Sequence, residues 1–369
     1  MKILICSDSF KESMSSISAC EAIARGLKKA DNLIDTYIIP MADGGEGTSD
    51  VLNRLYQGKK IFVDAHDAYG RACKAYYYKK DHTAIIELAA VCGLEMIEKE
   101  LRHPLNSSSY GMGEVILHAI NAGCNNILIG LGGSACNDGG IGMLEALGTK
   151  FYDKDNNLIK ASIANIEQIA RVDIKKYPEI NFKVACDVTN PYIGPNGATY
   201  VFGPQKGANK EELAILENKL CHLDTLFHLS NIASTGAAGG CSGALYLIDG
   251  KLISGIDMIL NESGIDEKLK EVDLCISGEG SIDEQSVNGK TISGIAKRCK
   301  KYNVPLICLA GALKGNLSPL YEIGVSSLFS ITDRPKSLNE ALLEGEQALE
   351  NCSENIARTI LCMKRWNSF

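Results

Sequence analysis

Glycines and short polar side chains cluster between residues 130 and 140, in the sequence GLGGSACNDGG. Its five glycines let a backbone approach a ligand closely and point successive N–H groups at it. The apolar run at 126–129 predicts a buried strand before the loop, and apolar spacing after it predicts a helix. A polar loop between a strand and a helix N-terminus suits an anion. Because a bare turn has no need of Ser134, Asn137 and Asp138, the loop is predicted to bind phosphate or carboxylate.

The same loop formally matches a dinucleotide-binding turn. Gly130, Gly132 and Ala135 fit the pattern G-x-G-x-x-G/A, and Asp153 follows at about the expected distance. A dinucleotide turn leads directly into a helix, however, and the Asn-Asp-Gly-Gly sequence at 137–140 would interrupt that helix in its first turn. The match therefore supports only an alternative interpretation, a nicotinamide-dependent oxidoreductase.

A second near match lies at residues 289–291, Gly-Lys-Thr, which ends like a P-loop. The earlier glycine that this motif requires is replaced by Glu284. The sequence thus predicts a phosphate site that belongs to neither of the two common classes.

Five further polar loops follow predicted strands in the same way. In open α/β sheets, ligands bind at the carboxyl ends of the strands, so these loops are expected to face one site. The five segments are DSFKES at 8–13, ADGGEGT at 42–48, CDVTNP at 186–191, FGPQKG at 202–207 and SGEGSIDEQS at 277–286.

The composition is that of an ordinary globular protein, with 45% hydrophobic and 22% charged residues among 369. A formal net charge of -7 argues against a nucleic-acid binder, and the longest apolar run, around 304–313, is too short to span a membrane. The fourteen cysteines form no C-x-x-C pair, and no cysteine or histidine spacing fits a zinc site. With thiols typical of a reducing compartment and no signal peptide, the chain is predicted to be cytoplasmic.

The two ends of the chain share a rhythm of strands and helices that the middle lacks. Strands are expected over residues 2–7, 36–39, 274–277, 304–310 and 326–331 at the ends, and over 84–88, 182–186 and 199–202 in the middle, where 61–65 and 72–78 form a hairpin. The fold class is therefore predicted as α/β with two domains. Residues 1–58 and 265–369 form a doubly wound, flavodoxin- or Rossmann-like parallel-sheet domain, residues 59–264 form an inserted mixed α/β domain, and the active site lies in the cleft between them.

Taken together and in order, the six loops resemble those of the glycerate kinases of the first type, a bacterial family. The resemblance runs essentially from end to end and implies an ATP-dependent kinase that phosphorylates D-glycerate, generally to 2-phosphoglycerate, with Mg²⁺. Departures from the family pattern include Ser281, where the family often has Arg. An Arg could clamp a phosphate through two hydrogen bonds, and Ser cannot.

Phosphoryl transfer needs positioning and charge neutralisation more than covalent catalysis. Asp187 is the preferred general base, because it ends a buried strand and precedes a rigid Asn-Pro turn. Asp187 and Asp43 are also the predicted Mg²⁺ ligands. The predicted catalytic residues are Asp187, Lys11 and Asp43, and those expected to bind substrate or phosphate are Asp8, Ser9, Gly44, Gly45, Glu46, Gly132, Gly133, Ser134, Asn137, Asp138, Lys206, Glu279, Asp283 and Lys290.

The expected ligands are thus ATP, Mg²⁺ and D-glycerate, with no nucleic acid and no membrane, in a monomer or a homodimer. A second alternative is a protein that binds an organic acid without catalysis. That interpretation predicts binding without ATP turnover and gives no reason for so many carboxylates in loops.

Overall fold

The structure, a computed structural model, describes residues 1–42, 48–287 and 290–366. The strands of this part are β1 Lys2–Ser7, β2 Asp35–Ile38, β3 Lys59–His66, β4 Ala72–Lys80, β5 Thr83–Glu87, β6 Asn126–Gly130, β7 Lys150–Tyr152, β8 Leu158–Ile159, β9 Arg171–Asp173, β10 Asn181–Ala185, β11 Lys251–Ile253, β12 Leu274–Ile282, β13 Leu306–Leu313 and β14 Ser327–Ser330. The helices are α1 Ser16–Ala30, α2 Thr48–Tyr56, α3 Ala89–Cys92, α4 Tyr110–Asn121, α5 Ile141–Ala146, α6 Ala198–Phe202, α7 Lys210–Phe227, α8 Cys241–Leu247, α9 Gly255–Glu262, α10 Ile265–Leu269, α11 Lys290–Lys301, α12 Ser318–Ile323, α13 Leu338–Leu343 and α14 Gly345–Trp366.

The chain divides into two compact units, and the first combines both chain ends, Met1–Asp43 and Ile259–Phe369. Its sheet is entirely parallel, in the order β2-β1-β12-β13-β14. Within the unit this is the 2-1-3-4-5 order of flavodoxin-like folds, in which the winding direction reverses between the first and third strands. Ligands of such sheets bind outside the strand ends at this reversal, here after β1 and β12.

On one face of this sheet, α1 and α14 pack against each other and share a core cluster with β1 and β12. A Cβ added to Gly26 of α1 would lie 2.1 Å from the backbone oxygen of Glu350, so only glycine allows this close approach. Arg25 and Lys29, on either side of that glycine, form ion pairs with the Glu350 carboxylate. The contact ties the C-terminal helix to the first helix and so closes the unit from both chain ends.

The second unit, Gly44–Met258, contains a six-stranded mixed sheet in the order β11-β10-β6-β5-β4-β3. Its first four strands are parallel, whereas β3 and β4 form the antiparallel hairpin that the sequence predicts. A small antiparallel sheet, β8-β7-β9, completes the unit. The main core lies on one face of the large sheet, where alternate residues such as Ile86, Ile129 and Val184 are buried.

The predicted α/β fold class is confirmed, with a parallel-sheet unit built from both ends and a mixed unit inserted. The units meet in sequence at residues 43–44 and 258–259, whereas the predicted boundaries were 58–59 and 264–265. The difference at the first boundary concerns α2, which packs against β5 of the second unit. Among the described residues, none of the helices is both long enough and apolar enough to cross a membrane.

One predicted strand is wrong. Residues 199–202 belong to α6, in which Thr199 is buried while Tyr200 and Val201 are exposed. A short apolar run cannot be assigned to strand or helix by periodicity alone. Here the segment buries one side and exposes the other, as a turn of helix does. The loop at 202–207 therefore follows a helix and not a strand.

Candidate active site

At the winding reversal of the first unit, Asp8 directly follows β1. Its N–H donates to the Gly278 carbonyl at 2.8 Å, which extends the pairing of β1 with β12 by one residue. Its carboxylate accepts hydrogen bonds from the Thr291 hydroxyl at 2.6 Å and from the Ser9 N–H at 2.7 Å. Thr291 is the second residue of α11, so this carboxylate lies at a helix N-terminus, where negative charge is stabilised.

The neighbouring strand β12 contributes two further predicted residues. It continues to Ile282, beyond the expected end at Ser277, because it pairs with the whole length of β13. Ser286 connects the two acidic residues. Its hydroxyl donates to the Glu279 carboxylate at 3.0 Å, and the Ser286 hydroxyl oxygen accepts the Asp283 N–H at 3.1 Å. Asp8 and Asp283 thus directly follow the neighbouring strands β1 and β12, and Glu279 lies within β12. Their role in binding a substrate stays a prediction.

Lys11, the cation predicted to act near these strand ends, lies in an exposed turn. Lys11 is exposed in the turn after β1, and the next residue, Glu12, has a left-handed backbone with a φ of 63°. No ion pair of Lys11 occurs within the described ranges, which leaves its ammonium able to bind an external anion. Ser281, at the position where an Arg is common in the resembling family, is exposed on β12.

In the second unit, the glycine-rich loop that follows β6 exposes only its first part. Gly132 and Gly133 reach the surface, and Gly133 has a φ of 68°, which favours glycine. The next residues fold inward, because the segment around Ser134 pairs with the chain around Gly93. Gly132 and Gly133 are therefore the glycines of this loop that are accessible to a ligand.

Asp138, predicted to bind substrate, is 1% exposed and is enclosed by its own loop and by the start of α4. Its carboxylate accepts four hydrogen bonds: from the Ser109 N–H at 2.7 Å, the Ser109 hydroxyl at 2.9 Å, the Gly140 N–H at 3.0 Å and the Gly142 N–H at 3.2 Å. Burial raises the pKa of this carboxyl, and the four donors act in the opposite direction. The Asp138 carboxylate thus connects the start of α4 with the end of the loop and the start of α5.

Asn137 and Lys206 also point into the protein. The Asn137 amide donates to the Thr199 hydroxyl at 3.3 Å, and its buried Oδ1 accepts no hydrogen bond from any described residue. Lys206 is 1% exposed and donates from Nζ to the Cys136 carbonyl at 2.5 Å. Both side chains fix the inner half of the glycine loop, and direct contact with a substrate stays a prediction.

Burial lowers the pKa of Lys206 from 10.5, although nearby acidic groups, Asp138 among them, oppose the effect. Between the native pKa and 10.5 the unfolded chain binds more protons than the native protein, so stability should rise with pH across that window. We expect Lys206→Met to remove this part of the slope, measured by urea unfolding at several alkaline pH values. Lys176→Met, at an exposed lysine paired with Asp249, is the control for exchanging a lysine for a methionine outside the core. Equal slopes for Lys206→Met and wild type would contradict the expectation.

Asp187, the preferred catalytic residue, comes two residues after β10 ends. Just before it, the Cys186 N–H donates to the Ile253 carbonyl at 2.8 Å and so extends the sheet to the site. Asp187 is half-buried, and its carboxylate accepts the Gly255 N–H, at 3.1 and 3.3 Å from its two oxygens. Gly255 begins α9, so backbone and helix together hold this carboxylate in one place. The strand before it, β10, pairs with β6, and the glycine-rich loop follows β6.

Glu87 is a further carboxylate at these strand ends, and the sequence analysis did not select it. It ends β5 on the other side of β6, is 7% exposed, and accepts a hydrogen bond from the hydroxyl of Ser49, in the first turn of α2. The signal was available, because Glu87 follows a buried apolar run just as Asp8 and Asp187 do. A lone Glu without glycines beside it resembled an ordinary strand end.

The remaining predicted residues cannot be placed. Asp43, Gly44, Gly45 and Glu46 lie outside the described residues, as does the side chain of Lys290. Within the described ranges, no three His, Cys, Asp or Glu side chains form a group that could hold a metal. The predicted roles of Asp43 and Asp187 as Mg²⁺ ligands stay predictions.

The dinucleotide alternative lacks the necessary geometry. After β6 ends at Gly130, ten residues pass before α5 begins at Ile141. A dinucleotide turn opens directly into its helix, whose N-terminus binds the pyrophosphate. The long, largely buried loop observed here does not present a helix in this way.

Comparison with known proteins gives matches over nearly the whole chain. A sequence model described as the glycerate kinase family matches residues 3–361. A glycerate kinase of Bacillus cereus is 39% identical over 97% of both chains. A glycerate 2-kinase of Escherichia coli K12 is 37% identical over 98% of both. The crystal structure of a Salmonella typhimurium LT2 protein, assigned as glycerate kinase 2, superposes with a TM-score of 0.86 at 36% identity and 99% coverage of both chains.

Proposed function

Because this chain belongs to the glycerate kinase family, we propose that it transfers the γ-phosphoryl group of ATP to a hydroxyl group of D-glycerate. The main support for this proposal is the similarity to glycerate kinases, which extends over 97–98% of both compared chains. We take 2-phosphoglycerate as the product, since one relative bears the name glycerate 2-kinase. The fourteen free thiols support a cytoplasmic enzyme.

In the second unit, Asp187 is our candidate for the general base. Its backbone is fixed by the sheet and its carboxylate by the start of α9, and the residue as a whole is partly exposed. A hydroxyl group is a weak acid, so a fixed carboxylate that takes up its proton promotes attack on phosphorus. The N–H groups of Gly132 and Gly133 would bind oxygens of an anion at the neighbouring strand end.

In the first unit, Asp8, Glu279 and Asp283 surround the winding reversal, where a nucleotide would be expected to bind. Lys11 would bind phosphate oxygens. Mg²⁺ would neutralise charge on the phosphates, and it prefers one or two carboxylates together with phosphate oxygens, which Asp187 or Asp8 could supply. The prediction that both units share one active site stays a prediction, as does a monomeric or homodimeric state.

The activity has a direct test. The purified protein should release ADP only when ATP, Mg²⁺ and D-glycerate are all present, as followed by a coupled assay. Phosphorus NMR of the product should show one phosphate monoester, with the coupling pattern of 2-phosphoglycerate. No ADP release from folded protein under these conditions would refute the proposed function, and the pattern of 3-phosphoglycerate would refute the assigned product.

A further inference from the structure

Strand β3 forms one edge of the six-stranded sheet. Among the residues that the structure describes, it pairs with β4 alone, over eight residues in a regular register. Strands at a sheet edge are usually short, bulged, interrupted by proline or covered, because their free N–H and C=O groups can pair with another chain. The opposite edge strand, β11, has only three residues. Because β3 is neither short, bulged nor interrupted by proline, it can accept a further strand.

The backbone groups of β3 point alternately toward β4 and away from it. Just beyond the strand, the Asp67 N–H donates to the Arg71 carbonyl at 2.8 Å, so the odd-numbered residues face β4. The His66 N–H, one residue earlier, donates to the Glu114 carboxylate at 2.9 Å, which agrees with this alternation. The even-numbered residues therefore face outward. Within β3 these are Lys60, Phe62, Asp64 and His66.

The outward residues are symmetric about Phe62. Lys60 and Asp64, of opposite charge, lie two residues to either side of it. Gly58 and His66 lie four residues to either side, and a side chain already accepts the N–H of each, at 2.8 and 2.9 Å. The stretch that is open to a further strand is therefore centred on Phe62 and carries opposite charges at its two ends.

A second copy of β3, running antiparallel, meets this stretch without conflict. With a two-fold axis at Phe62, Lys60 of each copy lies opposite Asp64 of the other. Facing residues then exchange both hydrogen bonds, because all three direct their backbone groups outward. A shift of two residues would place Lys60 opposite Phe62. It would also place Asp64 opposite Gly58, whose N–H is already occupied. Charge and backbone thus select one register.

The side chains of the same face also suit a second copy. Phe62 is 63% exposed and lies edge to face with Tyr76 of β4, at 6.4 Å between ring centroids. The Lys60 ammonium lies 3.5 Å from the centre of the Tyr76 ring, so its aliphatic chain extends along the aromatic surface. Pairing of two copies would join both aromatic pairs into one row across the sheet and would remove Phe62 from water.

We propose that the protein forms a symmetric homodimer in which two β3 strands pair antiparallel about Phe62. The two six-stranded sheets then form one continuous sheet. The partner is a second copy of this chain because the charges flanking Phe62 complement their own copies, which an unrelated strand would match only by chance. This inference concerns assembly and does not depend on the proposed activity.

Sedimentation equilibrium of the full chain, from micromolar to sub-millimolar concentration, tests the dimer. Wild type should associate reversibly to twice the mass of the chain. Lys60→Asp places two carboxylates opposite each other, and Asp64→Lys places two ammonium groups there. Each substitution should weaken dimerisation at least about ten-fold, because it acts at both symmetric contacts. An equimolar mixture of the two variants should associate as wild type does, since opposite charges then face each other again.

Phe62→Pro removes an outward N–H and leaves the pairing with β4 intact, because proline is tolerated where an edge N–H faces solvent. It should also abolish the dimer. Lys251→Asp, which reverses an exposed lysine on the opposite edge strand, is the matched control and should dimerise as wild type does. Circular dichroism confirms that each variant is folded. The inference is overturned by a wild type that stays monomeric, by a dimer that survives Phe62→Pro and both charge reversals, or by a mixture that does not associate.

Discussion

Replacing Asp187 by Asn should lower kcat by about 10²–10⁴-fold while the protein stays folded. Asparagine keeps the shape of the side chain, and its Oδ1 can still accept the Gly255 N–H that holds Asp187 at 3.1 Å. What is lost is the negative charge that would take up a proton from the attacking hydroxyl. The loss corresponds to about 2.7–5.5 kcal/mol in the activation barrier, measured by steady-state ADP release at saturating substrates.

A matched control is Asp224→Asn, because Asp224 also accepts backbone N–H groups, from Leu229 and Ser230, in the same unit. It should leave kcat unchanged. Titration with Mg²⁺ separates the two roles considered for Asp187: recovery of part of the activity at high Mg²⁺ indicates a metal ligand, and no recovery indicates the base. If kcat of Asp187→Asn stays near that of wild type at ordinary Mg²⁺, both roles are refuted, and Asp8 is the next carboxylate to test.

The sequence predicts the fold well because the buried strands are short apolar runs with clear ends. The parallel sheet of the first unit follows from such runs at both chain ends, and polar residues after β1 and β10 lie at the sheet edge as expected. The wrong predictions concern short apolar segments. For these, the local sequence pattern does not determine whether the segment is a strand or a helix, or where it ends. Residues 199–202 form a helix turn, and β12 extends to Ile282 because its partner β13 is long enough to continue the ladder.

Site prediction was less complete, because side-chain direction depends on tertiary packing. A glycine-rich loop indicates a close backbone approach, but it does not tell whether the approaching group is a ligand or another part of the chain. Here Gly239 supplies part of the answer: a Cβ on it would lie 2.0 Å from the Cys136 carbonyl, so a second glycine segment packs on the inner half of the loop. Asn137 and Asp138 are buried for that reason.

Glu87 is a residue that the sequence analysis overlooked, because only the strand register places it beside Gly130. In the sequence it is a lone acid 43 residues before Gly130, and nothing local connects the two. Parallel pairing of β5 with β6 places them side by side, and the partner hydroxyl comes from α2, a third segment. Such a convergence of distant segments cannot be read from spacing along one chain.

Asp153, in the same unit, provides a control for the effect of burial on substitutions at Asp138. Asp153 accepts three hydrogen bonds, from the N–H groups of Asp155 and Asn157 and from the Asn157 amide, but it lies in an accessible turn. When its carboxylate is removed, water can take over these donors, so Asp153→Ala should change stability little. Around Asp138, at 1% exposure, no such replacement is at hand.

Asp138→Ala should therefore lower the free energy of unfolding by about 4 kcal/mol, because it leaves buried donors of Ser109, Gly140 and Gly142 without an acceptor at about 1–3 kcal/mol each. Asp138→Asn keeps one acceptor oxygen and should lose about half as much. Urea unfolding, followed by circular dichroism, measures both. A loss below about 1 kcal/mol in the alanine variant would contradict this role. If Asp138→Asn instead abolished turnover at wild-type stability, Asp138 would be a ligand-binding residue, as the sequence first suggested.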